Sequence, residues 1–114
     1  MVASGTATLE CALLGVPMVV GYRLHALTYQ LARRLVKVPF VSLVNLTAGE
    51  RVVPELVQHD FTAEALARET ARLLGPDGDV VRAGLREVRR RLGEPGASER
   101  AARAVLKTVT AVRP

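Results

Sequence analysis

The stretch Ser-Gly-Thr-Ala-Thr-Leu-Glu at residues 4–10 has small residues where a strand should turn into a helix. The first amides of a helix point outward with a partial positive charge, so such a turn suits a phosphate. Gly5 lets a ligand approach the backbone closely, and Glu10, one helical turn on, is placed to accept hydrogen bonds from sugar hydroxyls. The stretch predicts a nucleotide site, with an ordinary strand-to-helix turn as the alternative.

Around this turn, the first half of the chain alternates between strand and helix patterns. Residues 1–3 are predicted to end a strand, residues 6–14 to form a helix, and residues 17–22 to form a strand buried on both faces. Further on, the pattern predicts a helix over about residues 26–36, a short strand at 41–43, a loop at 45–49 and one helical turn at 54–58. This order predicts an α/β fold with a parallel sheet.

The second half of the chain has the pattern of plain helices. Thr62 is a good N-cap for a helix that ends before Gly75, and residues 79–92 carry an apolar stripe of helical period. A break at residues 93–96 precedes a last helix, which Ser98 is predicted to cap. The chain is therefore divided into a partial α/β unit at residues 1–60 and a helical segment of the same domain at 61–114.

Four further polar residues are predicted to lie near the turn at residues 4–10. Arg23 follows the predicted strand at 17–22 and Asn45 follows the one at 41–43, and open parallel sheets bind ligands beyond the carboxyl ends of their strands. Glu55 and Gln58 are three residues apart on one predicted helical turn, so they are expected to face the same side. The plainer interpretation is a solvated surface or, for Asn45, a bond to its own turn.

Composition limits the classes of protein that fit. The chain has 114 residues, a formal net charge of +5 and a single cysteine, Cys11, so it has no internal disulfide. The charge suits an anionic partner, although an Arg-rich composition alone explains it equally well. The basic run at residues 86–91 lacks interleaved aromatics, which favours a solvated face over single-stranded nucleic acid, with weak attraction to anionic lipid as a further alternative.

Several kinds of site and segment are not predicted. His25 and His59 have no Cys or His neighbour at metal-ligand spacing, and nothing in the spacing brings His25 and Asp60 together as an acid and a base. No signal peptide and no membrane-spanning stretch are recognised, so we expect a cytoplasmic protein.

Five motifs in order resemble the C-terminal half of the lipid-A-disaccharide synthase family. They are SGTATLE at 4–10, PMVVGYR at 17–23, ARRLVK at 32–37, VSLVNLTAG at 41–49 and VPELVQ at 53–58. The resemblance implies an α/β fold that is the C-terminal Rossmann-like half of a GT-B glycosyltransferase, with residues 1–60 as part of its UDP-sugar-binding domain. The chain departs from the family pattern at Val44, where Pro is usual, and at Thr47 and residues 50–51.

The resemblance also implies an activity and a setting. The reaction is transfer of 2,3-diacylglucosamine from its UDP donor to 2,3-diacylglucosamine 1-phosphate, giving lipid A disaccharide, with inversion and without a metal or other cofactor. The family is peripheral to the cytoplasmic face of the inner membrane. It forms homodimers whose chain ends exchange between subunits, and no nucleic acid takes part.

The resemblance assigns donor-site residues by their position in the motifs. It places the diphosphate on residues 4–6 and the ribose on Glu10. The full set of residues expected to bind UDP is Ser4, Gly5, Thr6, Glu10, Arg23, Asn45, Glu55 and Gln58. An inverting transfer also needs a base, which is expected upstream of Met1, so this chain alone is expected to be inactive.

Two other functions remain open from the residues. The chain fits the donor half of another UDP-sugar GT-B enzyme. It also fits a non-catalytic basic module that binds a nucleotide or an anionic membrane.

Overall fold

The computed structural model describes residues 1–25, 28–29 and 39–111. Its described residues form a parallel sheet in the order β1-β2-β3, made of β1 (Val2–Ala3), β2 (Val20–Tyr22) and β3 (Glu55–Val57). Val2 pairs with Val20, and Gly21 pairs with Leu56. The predicted α/β class and the parallel sheet are thereby confirmed.

Five helices and one 3-10 turn are described around the sheet. They are α1 (Thr6–Leu13), α2 (Leu43–Ala48), the 3-10 turn (Gln58–Asp60), α3 (Ala63–Leu74), α4 (Asp77–Leu92) and α5 (Ala97–Ala111). Thr62 caps α3 as predicted, because its Oγ1 accepts a hydrogen bond from Ala65 N at 3.1 Å. α5 begins at Ala97, so Ser98 lies inside the helix and the prediction that it is the N-cap is wrong.

Three predictions for residues 41–58 are wrong. The predicted strand at 41–43 and loop at 45–49 give way to α2, because Ser42 Oγ accepts a hydrogen bond from Asn45 N at 3.2 Å and starts the helix. The predicted helical turn at 54–58 is instead β3, which pairs with β2 and has Leu56 buried between two half-buried neighbours. The helix predicted over about 26–36 lies mainly outside the described residues.

Helix α4 forms the centre of the core. Leu85 and Val88 on its inner face are fully buried, and α4 packs against α1, α2 and α3. A Cβ on Gly84 would lie 2.7 Å from Val52 Cγ1, so α4 approaches the segment before β3 closely. Both α1 and α2 therefore rest on α4, and α1 also contacts β1.

Two arginines of the run at residues 86–91 bind the C-terminal ends of other helices. Arg89 Nη1 lies 3.5 Å from Leu13 O at the end of α1, and Arg91 Nη1 donates to Ala48 O at the end of α2. Cations are favourable at helix C-termini, where carbonyls lack helical partners. The side chains are exposed, as predicted, but these two also tie α4 to its neighbours.

Glu87 stabilises α4 in a pH-dependent way. Hydrogen bonds from Arg90 and then Arg91 lower the pKa of the Glu87 carboxyl from 4.5 to about 2. Because the folded pKa is lowered, the ion pairs stabilise the helix fully above about pH 4.5, and this stabilisation is lost as the pH falls through about 2. A carbon-13 NMR titration of this carboxyl should show a midpoint near 2, and a midpoint near 4.5 would contradict the pairing.

Candidate functional site

The carboxyl ends of the three strands form one rim. Residues 4–6 follow β1, residues 23–25 follow β2, and residues 58–60 follow β3. Because β2 is the middle strand, its exit segment lies between the other two. Of the residues predicted for the site, those at 4–6, Arg23 and Gln58 lie at this rim, whereas Glu55 begins β3 and Asn45 lies inside α2.

The turn at residues 4–6 keeps the start of α1 open. Gly5 is the N-cap of α1, with φ 151° and ψ −166°, a conformation that only glycine adopts readily. A Cβ on Gly5 would meet nothing within 4 Å, and none of the described side chains caps α1. Thr8 Oγ1 donates to Gly5 O at 2.7 Å and braces the turn from within the helix. The first amides of α1 are therefore accessible to an anion.

Ser4 joins this turn to the start of α2. Its Oγ donates to Val41 O at 2.9 Å. The next amides are held from β3, because Val41 N and Ser42 N donate to the two carboxylate oxygens of Glu55 at 3.0 and 2.8 Å. The segment at 41–42 thus links the exit of β1 to β3, and Glu55 supplies negative charge at the N-terminus of α2.

Asn45 is fully buried and all of its side-chain hydrogen bonds are made within the protein. Its Nδ2 donates to Val53 O and to Glu55 Oε1, both at 2.9 Å, and its Oδ1 accepts from Val52 N and Val53 N, both at 2.9 Å. An amide has two donor hydrogens and two acceptor lone pairs, so this set is complete. Asn45 therefore holds the backbone before β3, and the prediction that it follows a strand at the rim is wrong.

Arg23 and Gln58 connect the exits of β2 and β3. Arg23 Nη2 donates to Phe61 O at 2.8 Å, and its guanidinium carbon lies 5.8 Å from the centroid of the Phe61 ring. The side-chain amide of Gln58 bonds to the backbone of Leu24. The prediction that Glu55 and Gln58 share a helical face is wrong, because Glu55 lies in β3 and Gln58 begins the 3-10 turn.

The remaining predicted residue, Glu10, is exposed on α1. It lies one turn, or about 6 Å along the axis, from the start of the helix. Its carboxylate is thus on the helix whose N-terminus is open.

The described ranges contain neither a metal-binding cluster nor a membrane-spanning helix. Residues 1–25, 28–29 and 39–111 hold no group of three or more His, Cys, Asp and Glu side chains arranged to hold a metal. In the same part of the chain, every helix is too short or too polar to cross a membrane.

The sequence was compared with known families and proteins. Residues 1–107 match the family model described as lipid-A-disaccharide synthetase. Proteins named lipid-A-disaccharide synthase are 50% identical over 106 residues in Geobacter metallireducens and 50% identical over 109 residues in Myxococcus xanthus. These matches cover 91% and 94% of this chain but 28% of each relative, so the chain spans little more than a quarter of their length. A third relative of the same name, from Acidobacterium capsulatum, is 52% identical over 100 residues, covering 86% of this chain and 25% of that protein.

Proposed function

Because the chain belongs to the lipid-A-disaccharide synthetase family, we propose that it is the donor-binding part of a GT-B glycosyltransferase. The proposed reaction transfers 2,3-diacylglucosamine from UDP to 2,3-diacylglucosamine 1-phosphate and gives lipid A disaccharide. In this proposal the described residues bind the UDP portion of the donor at the carboxyl rim of the sheet. We also propose the family setting, a homodimer with exchanged chain ends at the cytoplasmic face of the inner membrane.

The observation that carries the proposal is the open N-terminus of α1 at the rim. Gly5 holds the turn with φ 151°, and a Cβ there would meet none of the described residues within 4 Å. In the proposal the amides of Gly5 and Thr6 donate to the diphosphate, where the helix dipole also favours negative charge. The hydroxyl of Thr6, which is exposed, adds a further donor.

Two charged side chains complete the proposed donor contacts. Glu10 accepts hydrogen bonds from the ribose hydroxyls, which its exposed position on α1 allows. Arg23 contributes positive charge on the diphosphate side of the rim. Its guanidinium has five N–H donors, and its bonds to the described residues, to Phe61 O and Gln58 O, both come from Nη2, so in the proposal its other nitrogens donate to a phosphate.

In this proposal Asn45, Glu55 and Gln58 serve the site by binding backbone groups. Asn45 and Glu55 position the segment at 41–42 beside Ser4, as their hydrogen bonds indicate. The base that deprotonates the acceptor hydroxyl is not assigned to any described residue. We therefore expect the 114-residue chain alone to bind UDP without turnover.

An activity assay on the polypeptide as the cell makes it tests this proposal. It is incubated with 2,3-diacylglucosamine 1-phosphate and either UDP-2,3-diacylglucosamine or UDP-GlcNAc, and the products are identified by mass spectrometry. We expect a disaccharide 1-phosphate only with the acylated donor. Product with UDP-GlcNAc alone would indicate another UDP-sugar enzyme, and binding to anionic vesicles without UDP affinity would indicate a non-catalytic module.

A further inference from the structure

Gln58 has an unusual backbone conformation for its position at the rim. It is the one non-glycine residue with positive φ, 54°, among residues whose backbone is described, and its side chain is 9% exposed. Such a conformation is uncommon for residues with a side chain and persists where the surroundings hold it. β3 ends at Val57, and Gln58 is the first residue of the 3-10 turn that follows.

The Gln58 side chain forms a two-point bond with one residue of the middle strand's exit. Its Oε1 accepts from Leu24 N at 2.7 Å, and its Nε2 donates to Leu24 O at 3.0 Å. The ladder between β2 and β3 reaches Tyr22 and Val57. The amide of Gln58 therefore acts as a further strand partner, beyond the point where the backbone pairing stops.

The same two exits are joined by a second set of contacts. Arg23 donates to Phe61 O, and the Phe61 ring packs so closely on β2 that a Cβ on Gly21 would lie 2.5 Å from its Cε2. Arg23 Nη2 also lies 3.4 Å from Gln58 O. The segment at 23–25 is thus held from the β3 side by side-chain contacts.

We propose that Gln58 is a positioning residue of the donor site, which fixes the backbone of Leu24 and thereby places Arg23 at the rim. This inference rests on the proposed function. It assigns Gln58 the role of binding the backbone of Leu24 and not UDP, because its amide oxygen and nitrogen each bond to Leu24. In this inference Gln58 fixes the position of the segment at 23–25, which lies between the exits of β1 and β3 and forms one side of the site.

Two variants of the native polypeptide test the two-point bond. Gln58→Met keeps the length of the side chain and loses both hydrogen bonds. Gln58→Glu loses the donor while ionised, but a protonated carboxyl offers one acceptor and one O–H donor, as the amide does. Binding of UDP is measured by titration calorimetry between about pH 8 and about pH 5, and protonation of the introduced carboxyl is followed over the same range by carbon-13 NMR.

We expect Gln58→Met to weaken UDP binding by about tenfold at every pH. Gln58→Glu should bind UDP about as weakly as Gln58→Met at about pH 8, and its dissociation constant should approach the wild-type value at about pH 5. The charged groups near the rim, Arg23, His25, His59 and Asp60, and UDP itself are common to all three proteins, so any effect of pH on them is shared. This shared effect is removed by expressing each dissociation constant as a ratio to wild type at the same pH.

The measurement separates positioning from a purely structural role. Loss of folded protein would reduce the number of sites per chain and leave the dissociation constant unchanged, which would overturn the inference. Wild-type affinity in both variants, or a Gln58→Glu ratio that stays constant while the introduced carboxyl becomes protonated, would also overturn it. Failure of the wild-type protein to bind UDP would overturn the proposed function, and this inference with it.

Discussion

Replacing Asn45 with Ala is expected to lower the free energy of unfolding by about 3–5 kcal/mol, because it leaves several buried polar groups without partners. Asn45 is 0% exposed, and its amide bonds to Val53 O, Glu55 Oε1, Val52 N and Val53 N. Water cannot readily replace these bonds at a site that is closed to solvent. The expected loss of stability is similar to that caused by replacing a large buried apolar side chain with alanine.

The measurement is urea unfolding of the native polypeptide, followed by circular dichroism. Thr47→Ala is the matched control, since Thr47 is on the same short helix and its side chain is only partly buried. The control should change stability by less than about 0.5 kcal/mol. Asn45→Asp should be as damaging as Asn45→Ala, because it places a second carboxylate next to Glu55. Equal stabilities of Asn45→Ala and Thr47→Ala would contradict the role given to Asn45.

Replacing Gly5 with Ala is expected to weaken UDP binding by tenfold or more and to destabilise the fold by about 1–3 kcal/mol. The cause is backbone strain and not a steric clash, since φ is 151° and a Cβ would meet none of the described residues within 4 Å. Relief of the strain must rotate the peptide at the start of α1, which turns the amides away from the proposed diphosphate position.

Gly75→Ala is the control for this substitution. Gly75 has φ −96°, which alanine tolerates, and a Cβ there would lie 3.5 Å from Arg72 O, an ordinary contact. Titration calorimetry with UDP should give the wild-type dissociation constant for Gly75→Ala and a weakened one for Gly5→Ala. Wild-type affinity in Gly5→Ala would show that the turn at residues 4–6 does not hold the diphosphate.

The α/β class, the parallel sheet and the turn at residues 4–6 could be predicted from the sequence because strong local signals mark them. A β-branched apolar run predicts β2, and small residues before an apolar helical pattern predict the start of α1. Thr62 marks the start of α3 in the same way. Each of these signals agrees with the tertiary structure around it.

The region at residues 41–58 was mispredicted because tertiary contacts decide its structure. Helix α2 has only six residues and depends on the buried hydrogen bonds of Asn45 and on Arg91 at its C-terminal end. A signal was present, since Ser42 and Gly49 are typical cap residues for its two ends. The β3 segment is three residues long, and its pairing with β2 outweighs any local preference.

The sequence allowed residues 4–6 and Arg23 to be placed past strand ends, but it did not indicate what the polar side chains contact. Spacing alone does not tell whether an amide or carboxylate faces a ligand or the protein backbone. Asn45, Glu55 and Gln58 all bond to backbone groups of neighbouring segments. The sequence also gave no sign that Val41 and Phe61 would join the exits of the strands, because these contacts span 37 and 38 residues.

The most direct test of UDP binding at the start of α1 is a nitrogen-15 NMR titration of the polypeptide with UDP, read at assigned backbone amides. We expect the largest shifts at Gly5, Thr6 and Ala7, with smaller shifts at residues 23–25 and none at the arginine run of α4. Shifts confined to residues 86–91, or no shift at Gly5 and Thr6 at saturating UDP, would contradict UDP binding at the start of α1.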